Sequence, residues 1–170
     1  MKIFLIGMMG SGKSFLCQQL AERLQINAYD LDDLIEAKEQ KTIEEIFNTK
    51  GEDYFRTKET EILKSFAHKE NFVVATGGGT ACFNNNIEWM NKQGITIWLN
   101  ISLDVIAKRL LKGKEKEQRP LIKDISNDAL QIFLQLMFEQ RKKHYEQARI
   151  TLKNNYHIDT LLSLIQTNYP

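Results

Sequence analysis

Short, unbroken runs of apolar residues alternate along this chain with longer segments in which apolar residues recur every three or four positions. Such a run is typical of a strand buried on both faces, whereas the three-to-four spacing is typical of a helix with one buried face. The runs predict strands at residues 2–6, 71–76 and 94–99, with weaker candidates at 26–30 and 148–153. The helical spacing predicts helices at 14–24, 52–69 and about 127–148. Thr42 and Glu45 form a capping box that opens a further short helix.

This alternation of strands and helices predicts an α/β fold with a parallel sheet. Parallel neighbours are joined by right-handed crossovers, and their ligand site lies at the carboxyl ends of the strands. The 170 residues contain no internal repeat, low-complexity tract or linker. Since this length is close to that of one typical domain, we expect a single domain over residues 1–170.

The clearest chemical motif is Gly7–Ser14, which matches the phosphate-loop pattern G-x-x-x-x-G-K-S between a predicted strand and a predicted helix. The amides of such a loop form an anion-binding nest, and the helix N-terminus adds partial positive charge. A lysine at this position reaches the terminal phosphates, and a serine after it binds magnesium. The alternative is a glycine turn with a chance lysine, which the two flanking elements disfavour. The predicted nucleotide-binding residues are Gly10, Ser11, Gly12, Lys13 and Ser14.

The sequence lacks the motifs expected of several other classes of nucleotide-binding protein. No glycine follows Gly10 and Gly12 where a dinucleotide fingerprint needs its third one. The strings N-K-x-D and D-x-x-G, expected in a GTPase, do not occur. A motor ATPase is expected to have a buried strand that ends in a carboxylate. Here the strand at Phe72 ends in Thr76, and the strand at Ile95 ends in Asn100. The pattern and the small size therefore favour a kinase.

Two aspartates stand at the end of the second predicted strand, beside the expected position of the phosphate loop. There Asp30 could hold magnesium, and Asp32 could orient a substrate hydroxyl and take its proton. Helix capping is the alternative, because aspartate favours helix starts. We expect capping for Asp33 and a functional role for Asp30 and Asp32.

Two arginines occupy unusual positions. Arg141 shares a helical stripe with the apolar residues Leu134 and Tyr145, and Arg56 precedes Glu59 by three residues on the same side of a helix. A buried guanidinium needs a carboxylate or phosphate partner, and its planar fork suits a planar anion. Structural ion pairing is the alternative for both residues.

Composition and charge narrow the class of ligand. The formal net charge is +1, whereas a nucleic-acid-binding protein normally carries a basic excess, so small ligands are expected and nucleic acid is not. Cys17 and Cys82 have neither disulfide nor zinc spacing, which fits a reducing cytoplasm. Neither a signal-peptide pattern nor a run of eighteen apolar residues occurs, so we expect neither export nor membrane spanning.

As an ordered set, these motifs resemble those of the shikimate kinase family, small P-loop kinases related to the nucleoside-monophosphate kinases. The resemblance covers nearly the whole chain. Its motifs are G-M-M-G-S-G-K-S from residue 7, D-L-D from 30, F-R-T-K-E from 55, G-G-G from 77, Q-R-P-L from 118, and Arg141 followed by Tyr145. Only the phosphate loop is specific by itself, and the ordered set is highly specific.

The resemblance implies a three-layer P-loop fold with a five-stranded parallel sheet in the order 2-3-1-4-5. It implies ATP-dependent phosphorylation of the 3-hydroxyl of shikimate with Mg²⁺, by a cytoplasmic monomer. It also implies a substrate-binding segment at about residues 30–61 and a mobile lid at about 112–124. Another small-metabolite kinase, such as a gluconate kinase, or a non-catalytic nucleotide-binding regulator of the same fold are the alternatives. The D-L-D, F-R and G-G-G set disfavours the first, and the retained catalytic residues disfavour the second.

The resemblance also implies residue roles around the acceptor substrate. Asp30 matches the magnesium-associated aspartate, and Asp32 matches the aspartate that binds the substrate hydroxyls and acts as general base. Arg56 and Arg141 match the two arginines that bind the shikimate carboxylate, with Glu59 fixing Arg56.

Further matches concern a glycine-rich loop and the basic segment of residues 108–123. The amides of Gly77, Gly78 and Gly79 are expected to approach the substrate. Arg109 matches an arginine near adenine, and Arg119 matches the lid arginine that folds over the phosphates. The expected catalytic residues are Lys13, Asp32 and Arg119.

Overall fold

The computed structural model describes residues 1–112, 121–154 and 156–169 of the chain. Within these ranges five strands form one sheet in the order β2-β3-β1-β4-β5, and every neighbouring pair is parallel. The strands are β1 (Lys2–Ile6), β2 (Asn27–Asp30), β3 (Phe72–Ala75), β4 (Ile95–Asn100) and β5 (Ile150–Lys153). The predicted fold class and the strand order implied by the resemblance are confirmed.

The apolar content of each strand follows its place in the sheet. β1 is central, and all five of its residues are buried because β3 and β4 pair with it on either side. Leu5, for example, pairs with Ala75 on one side and with Ile97 on the other. The outer strands β2 and β5 are only partly buried, so their apolar pattern is weaker in the sequence.

Seven α-helices flank the sheet in the described part of the chain. They are α1 (Lys13–Leu24), α2 (Leu31–Glu39), α3 (Ile43–Lys64), α4 (Asn86–Gln93), α5 (Leu103–Leu110), α6 (Asn127–Tyr145) and α7 (Ile158–Asn168). The sequence pattern predicted α1, α3 and α6 but not α2, α4, α5 and α7. The four missed helices have 8 to 11 residues, so the helical spacing repeats over only two or three turns.

Helix α3 combines the two helical segments that the pattern predicted separately. It begins at a capping box, in which Thr42 accepts from the Glu45 amide and Glu45 accepts from the Thr42 amide. The helical path is interrupted at Gly51, where φ is 81° and ψ is 172°. A positive φ is readily adopted by glycine, so this residue supplies the bend between the segments. The second segment ends at Lys64 rather than Lys69, and a 3₁₀ turn follows it.

The carboxyl ends of β2, β3 and β1, which are neighbours in the sheet, bring three functional segments to one edge. The phosphate loop follows β1, Asp30 ends β2, and the triple glycine Gly77–Gly79 follows β3. Thr76 ties the start of the triple glycine to β1, because its amide and its hydroxyl both donate to the Leu5 carbonyl, at 3.1 and 2.9 Å.

Both cysteines are free thiols, Cys17 buried in α1 and Cys82 partly buried after the triple glycine. Burial raises the pKa of Cys17 and raises that of Cys82 to about 11, so neither is a reactive thiolate at neutral pH. In the ranges that the structure describes, no helix is long and apolar enough to cross a membrane.

Candidate functional site

A cleft of about 1140 Å³ lies at the carboxyl edge of the sheet. That volume exceeds the range of typical single-ligand pockets, so the cleft has room for two substrates side by side. Arg119 lies outside the described residues. The structure brings all the other predicted site residues to this cleft: Gly10, Ser11, Gly12, Lys13, Ser14, Asp30, Asp32, Arg56, Gly77, Gly78, Gly79, Arg109 and Arg141.

The phosphate loop takes its shape from glycines in the left-handed region of backbone conformation. Gly7, Gly10 and Gly12 have φ values of 138°, 71° and 98°. At Gly7 a side chain would also collide with the backbone, because a Cβ atom would lie 2.8 Å from the Leu99 carbonyl oxygen. These conformations close the loop and lead directly into α1 at Lys13, so the loop amides and the helix N-terminus face one anion site.

Lys13 is buried against the loop that it serves. Its ammonium donates to the carbonyls of Gly7 and Met8, both at 2.9 Å. These bonds hold the ammonium beside the loop, where its positive charge would attract the terminal phosphates of a nucleotide.

Ser14 and Asp30 form a hydroxyl–carboxylate pair at the edge of the cleft. The Ser14 hydroxyl donates to Oδ2 of Asp30 at 2.6 Å, and the other carboxylate oxygen accepts from the Asp32 amide at 3.1 Å. Through that second bond Asp30 is the N-cap of α2. The expectation that Asp33 is the capping residue is therefore wrong, because Asp33 lies inside the first turn and Asp30 both caps the helix and reaches Ser14.

Acidic side chains concentrate at this end of α2. Burial, followed by the charges of Asp30 and Glu36, raises the pKa of Asp33. All three of these carboxylates line the cleft together with Asp32. These neighbouring carboxylates make this part of the cleft negatively charged.

Arg56 is held by α3, its own helix. Its guanidinium donates to Glu59 at 2.9 Å and to Glu52 at 2.9 and 3.1 Å, and the side chain is almost completely buried. Burial acts to lower the pKa of Arg56, but the charges and hydrogen bonds of Glu59 and Glu52 outweigh it and the pKa is raised. The rings of Phe55 and Phe83 lie 5.0 and 4.4 Å from the guanidinium carbon. The predicted pairing with Glu59 is confirmed, whereas Glu52 and Phe83 were not predicted as partners.

Arg141 lies on the buried face of α6, as the apolar stripe predicted. Its Nη1 atom makes no hydrogen bond to any residue that the structure describes. One turn later, the Tyr145 hydroxyl donates to the Gly78 carbonyl, and the ring stacks on Trp98 with centroids 5.8 Å apart. Burial raises the pKa of Tyr145, so the hydroxyl remains a donor at all physiological pH values. α6 therefore both supplies a cation to the cleft and anchors the triple glycine.

The triple glycine adjoins each of these groups. A Cβ atom on Gly77 would lie 2.7 Å from Glu59 Oε1 and 3.1 Å from Asp32 Oδ1. On Gly78 it would lie 3.3 Å from Arg141 Nη1, and on Gly79 it would lie 2.7 to 2.8 Å from three guanidinium atoms of Arg56. The family resemblance implies that these glycines let a substrate approach the backbone. The structure shows that the absence of Cβ atoms also leaves space for the side chains that line the site.

Arg109 reaches the phosphate loop from α5. Its Nη1 atom donates to the carbonyls of Gly10 and Ser11, at 3.2 and 3.0 Å. Tyr156 lines the same part of the cleft. Burial raises its pKa, although the charge of Arg109 acts in the opposite direction. Arg109 is thus a cation held beside the phosphate loop in the cleft.

The predicted lid, about residues 112–124, is described at Lys112 and at residues 121–124. Ile122 is fully buried, and Lys123 forms an ion pair with Glu44 near the start of α3. The carboxyl end of the predicted lid is therefore tied to the substrate-binding segment by an ion pair.

Comparison with known proteins identifies the family to which this chain belongs. The family model described as shikimate kinase matches residues 9–165 of the chain. The chain belongs to the shikimate kinase family. A shikimate kinase of Clostridium botulinum strain Langeland is 42% identical over 164 residues, which cover 96% of this chain and 94% of that relative. The predicted family is confirmed, and the protein is a kinase.

Solved structures agree with the family assignment. A shikimate kinase from Acinetobacter baumannii in complex with shikimate has a TM-score of 0.89 at 31% identity, and 98% of this chain and 93% of that chain are covered. The crystal structure from Bacteroides thetaiotaomicron has a TM-score of 0.84 at 37% identity, with 98% and 94% covered. A deoxyadenosine kinase from M. mycoides shares the fold alone, with a TM-score of 0.58 and 16% identity. A gluconate kinase or a non-catalytic regulator is therefore not favoured.

Proposed function

We propose that the protein is a single-domain kinase over residues 1–170 that transfers the γ-phosphoryl group of ATP to the 3-hydroxyl of shikimate. The observation that carries the proposal is the convergence of the phosphate loop, Asp32 and two arginines on the triple glycine. The loop suits a nucleotide, the aspartate suits an acceptor hydroxyl, and the arginines suit an acceptor carboxylate. Shikimate carries hydroxyls and a carboxylate on one small ring.

The nucleotide end of the cleft is built around the phosphate loop. The amides from Gly10 to Ser14 bind the phosphates, and Lys13 neutralises charge that develops on the transferred group. Arg109, which the loop carbonyls hold in place, is proposed to contact the adenine. These groups act mainly by positioning and by charge neutralisation, which provide most of the catalysis in phosphoryl transfer.

The donor set also fits Mg²⁺. Magnesium prefers hard oxygen ligands and commonly combines one or two carboxylates with substrate phosphates and water. The Ser14 hydroxyl and the Asp30 carboxylate already lie 2.6 Å apart beside the phosphate loop and would hold the ion there. When bound, magnesium supplies positive charge to the phosphate oxygens of ATP.

Asp32 is the proposed general base. Its carboxylate lies next to Gly77 on the cleft wall and accepts the proton of the 3-hydroxyl as the oxygen attacks the γ-phosphorus in line. The new oxygen–phosphorus bond forms while the bond to the β-phosphate oxygen breaks, and ADP leaves with that electron pair.

Arg56 and Arg141 are the proposed partners of the shikimate carboxylate. Both are buried, both line the cleft, and both adjoin the triple glycine. Arg56 keeps a fixed orientation through Glu59 and Glu52, which makes its fork suited to a bidentate carboxylate. Phe47 and Phe55, with ring centroids 4.7 Å apart, form the apolar wall beside the substrate ring.

Closure of the lid over the phosphates would complete the site. Arg119 is proposed to fold over the transferred group and to help exclude the water that would otherwise hydrolyse ATP. The protein is further proposed to act as a monomer in the cytoplasm, with small-molecule substrates and no nucleic-acid partner.

A coupled assay of ADP release tests the proposed function. Shikimate, quinate, gluconate and nucleoside monophosphates are each offered with ATP and magnesium at equal concentrations. We expect rapid, saturable ADP release with shikimate and only slow background release with the others. Faster release with gluconate or a nucleotide, or release independent of any acceptor, would contradict the proposal.

A further inference from the structure

Thr80 lies directly behind the cleft, in the short turn Thr80–Cys82 that follows the triple glycine. Its side chain is fully buried. The hydroxyl donates to Oε1 of Glu59 at 2.5 Å, and the other carboxylate oxygen of Glu59 accepts from Nη1 of Arg56 at 2.9 Å. A single carboxylate therefore connects the Thr80 hydroxyl to the guanidinium that faces the cleft.

Glu59 depends on both of these bonds. It is fully buried, so water does not solvate its charge, and a buried carboxylate needs hydrogen-bond donors for its oxygens. Among the described residues those donors are Arg56 and Thr80. Without the hydroxyl, Oε1 loses its donor and Arg56 is left as the described hydrogen-bond donor to the carboxylate. The other partner of Arg56, Glu52, is about half exposed and holds the guanidinium less firmly.

Thr80 itself is held at a fixed distance from α3. The fully buried Asn86 donates through Nδ2 to the Thr80 carbonyl at 3.0 Å and to the Thr60 hydroxyl at 3.1 Å. Thr60 belongs to the same helix as Arg56 and Glu59. Asn86 thus ties the turn to the helix that carries Glu59, so the position of the hydroxyl is set by the fold.

We propose that Thr80 is a positioning residue for the acceptor substrate: through Glu59 it fixes the guanidinium of Arg56 in the orientation that binds the acceptor carboxylate. This inference rests on the proposed function. Because Thr80 touches neither ATP nor the reacting atoms, its loss acts on the KM for shikimate and leaves the KM for ATP and the kcat nearly unchanged.

The test compares Thr80→Val, which removes the hydroxyl, with Thr80→Ser, which retains it. Thr96→Val is the matched control. Thr96 is equally buried, and its hydroxyl also donates a 2.5 Å bond, but its partner is Asn91, which does not line the cleft, whereas Glu59, the partner of Thr80, does. Thr80→Ala carries the test if Thr80→Val does not fold. All variants are measured for the KM of both substrates, kcat and thermal unfolding.

A second measurement reports on Arg56 without any substrate. The probe is the Nη1 signal of Arg56, since Nη1 donates to Glu59 whereas Nε donates to Glu52. It is recorded at low temperature in ¹⁵N-labelled protein and assigned by its loss in Arg56→Lys. A guanidinium fixed by charge-assisted hydrogen bonds gives a sharp signal that is protected from exchange. We expect this signal in the wild type, in Thr80→Ser and in Thr96→Val, and we expect broadening or fast exchange in Thr80→Val.

We expect Thr80→Val to raise the KM for shikimate by about tenfold or more. This is the effect expected when a displaced Arg56 loses one charge-assisted hydrogen bond to the acceptor carboxylate. Thr80→Ser should restore it, and Thr96→Val should lose stability without changing it. An unchanged Arg56 signal in Thr80→Val would overturn the inference, whatever the kinetics. An altered signal with an unchanged KM for shikimate would instead overturn the proposed role of Arg56, and with it the role of Thr80. A wild type inactive toward shikimate would refute the proposed function by itself.

Discussion

Gly79→Ala is a one-carbon substitution that acts directly on Arg56, to which the three atoms nearest the added carbon belong. Gly79 has φ of −98° and ψ of −15°, which alanine adopts without strain. The new methyl group would lie 2.7, 2.8 and 2.8 Å from the Nη2, Cζ and Nη1 atoms of Arg56. Ordinary contact begins near 3.4 Å, so the guanidinium must move by more than half an ångström. Since the end of a flexible side chain moves and the backbone does not, the protein should fold normally.

The displacement should reduce binding of the acceptor carboxylate. A charge-assisted hydrogen bond contributes about 1.5–3 kcal/mol, and a fork displaced from its anion loses at least one such bond. That loss corresponds to a rise of about 10- to 150-fold in the KM for shikimate. The KM for ATP should change little, because the three atoms nearest the new methyl group all belong to Arg56 and none to the phosphate loop. The melting temperature should stay within a few degrees of the wild-type value.

Steady-state kinetics with each substrate varied in turn, together with thermal unfolding, measure these effects. The same substitution in an Arg56→Ala background is the control, and it should cause little further loss because the displaced group is absent. An unchanged KM for shikimate in Gly79→Ala, or an equally large loss in the Arg56→Ala background, would refute the assignment of Arg56 to the acceptor carboxylate.

Three further predictions concern the remaining groups of the site. Asp32→Asn should fold and bind both substrates yet turn over about 10²- to 10⁴-fold more slowly, the contribution of a general base; near-normal turnover would exclude that role. Arg56→Lys and Arg141→Lys should each weaken shikimate binding about 10- to 150-fold and ATP binding little, as measured by calorimetry; equal weakening of both ligands would make these arginines structural. Amide exchange in residues 112–124 should slow when nucleotide and shikimate are both bound, and Arg119→Ala should bind shikimate normally but turn over poorly; unchanged exchange and wild-type turnover would mean that the segment is a solvated loop.

The fold was predictable where burial is two-sided and where a helix is long. β1 lies between two strands, so all five of its residues are buried, and the four after Lys2 form an apolar run that is visible in the sequence. α6 has 19 residues, enough for the apolar spacing to repeat over five turns. In contrast, α5 has only 8 residues, and its buried residues Ile106, Ala107 and Leu110 span about one turn. The order of the strands came from the family resemblance and not from the pattern.

The candidate site was predictable where the contacts are local in sequence. Arg56 and Glu59 are three residues apart on one helix, so the spacing itself places them together. The contact from Thr80 to Glu59 spans 21 residues, and that from Tyr145 to Gly78 spans 67, so only the folded chain reveals them. The triple glycine predicted a close approach, but the sequence does not say which atoms occupy the space of the missing Cβ atoms.

The site is expected to transfer the γ-phosphoryl group of ATP to one defined hydroxyl of shikimate. Phosphorus and proton NMR of a reaction with wild-type protein, ATP, Mg²⁺ and shikimate follow the products directly. We expect one new phosphomonoester signal that grows in step with ADP, with phosphorus coupling to the ring proton at carbon 3. Release of inorganic phosphate without a phosphomonoester, or coupling to the proton of a different ring carbon, would contradict the account.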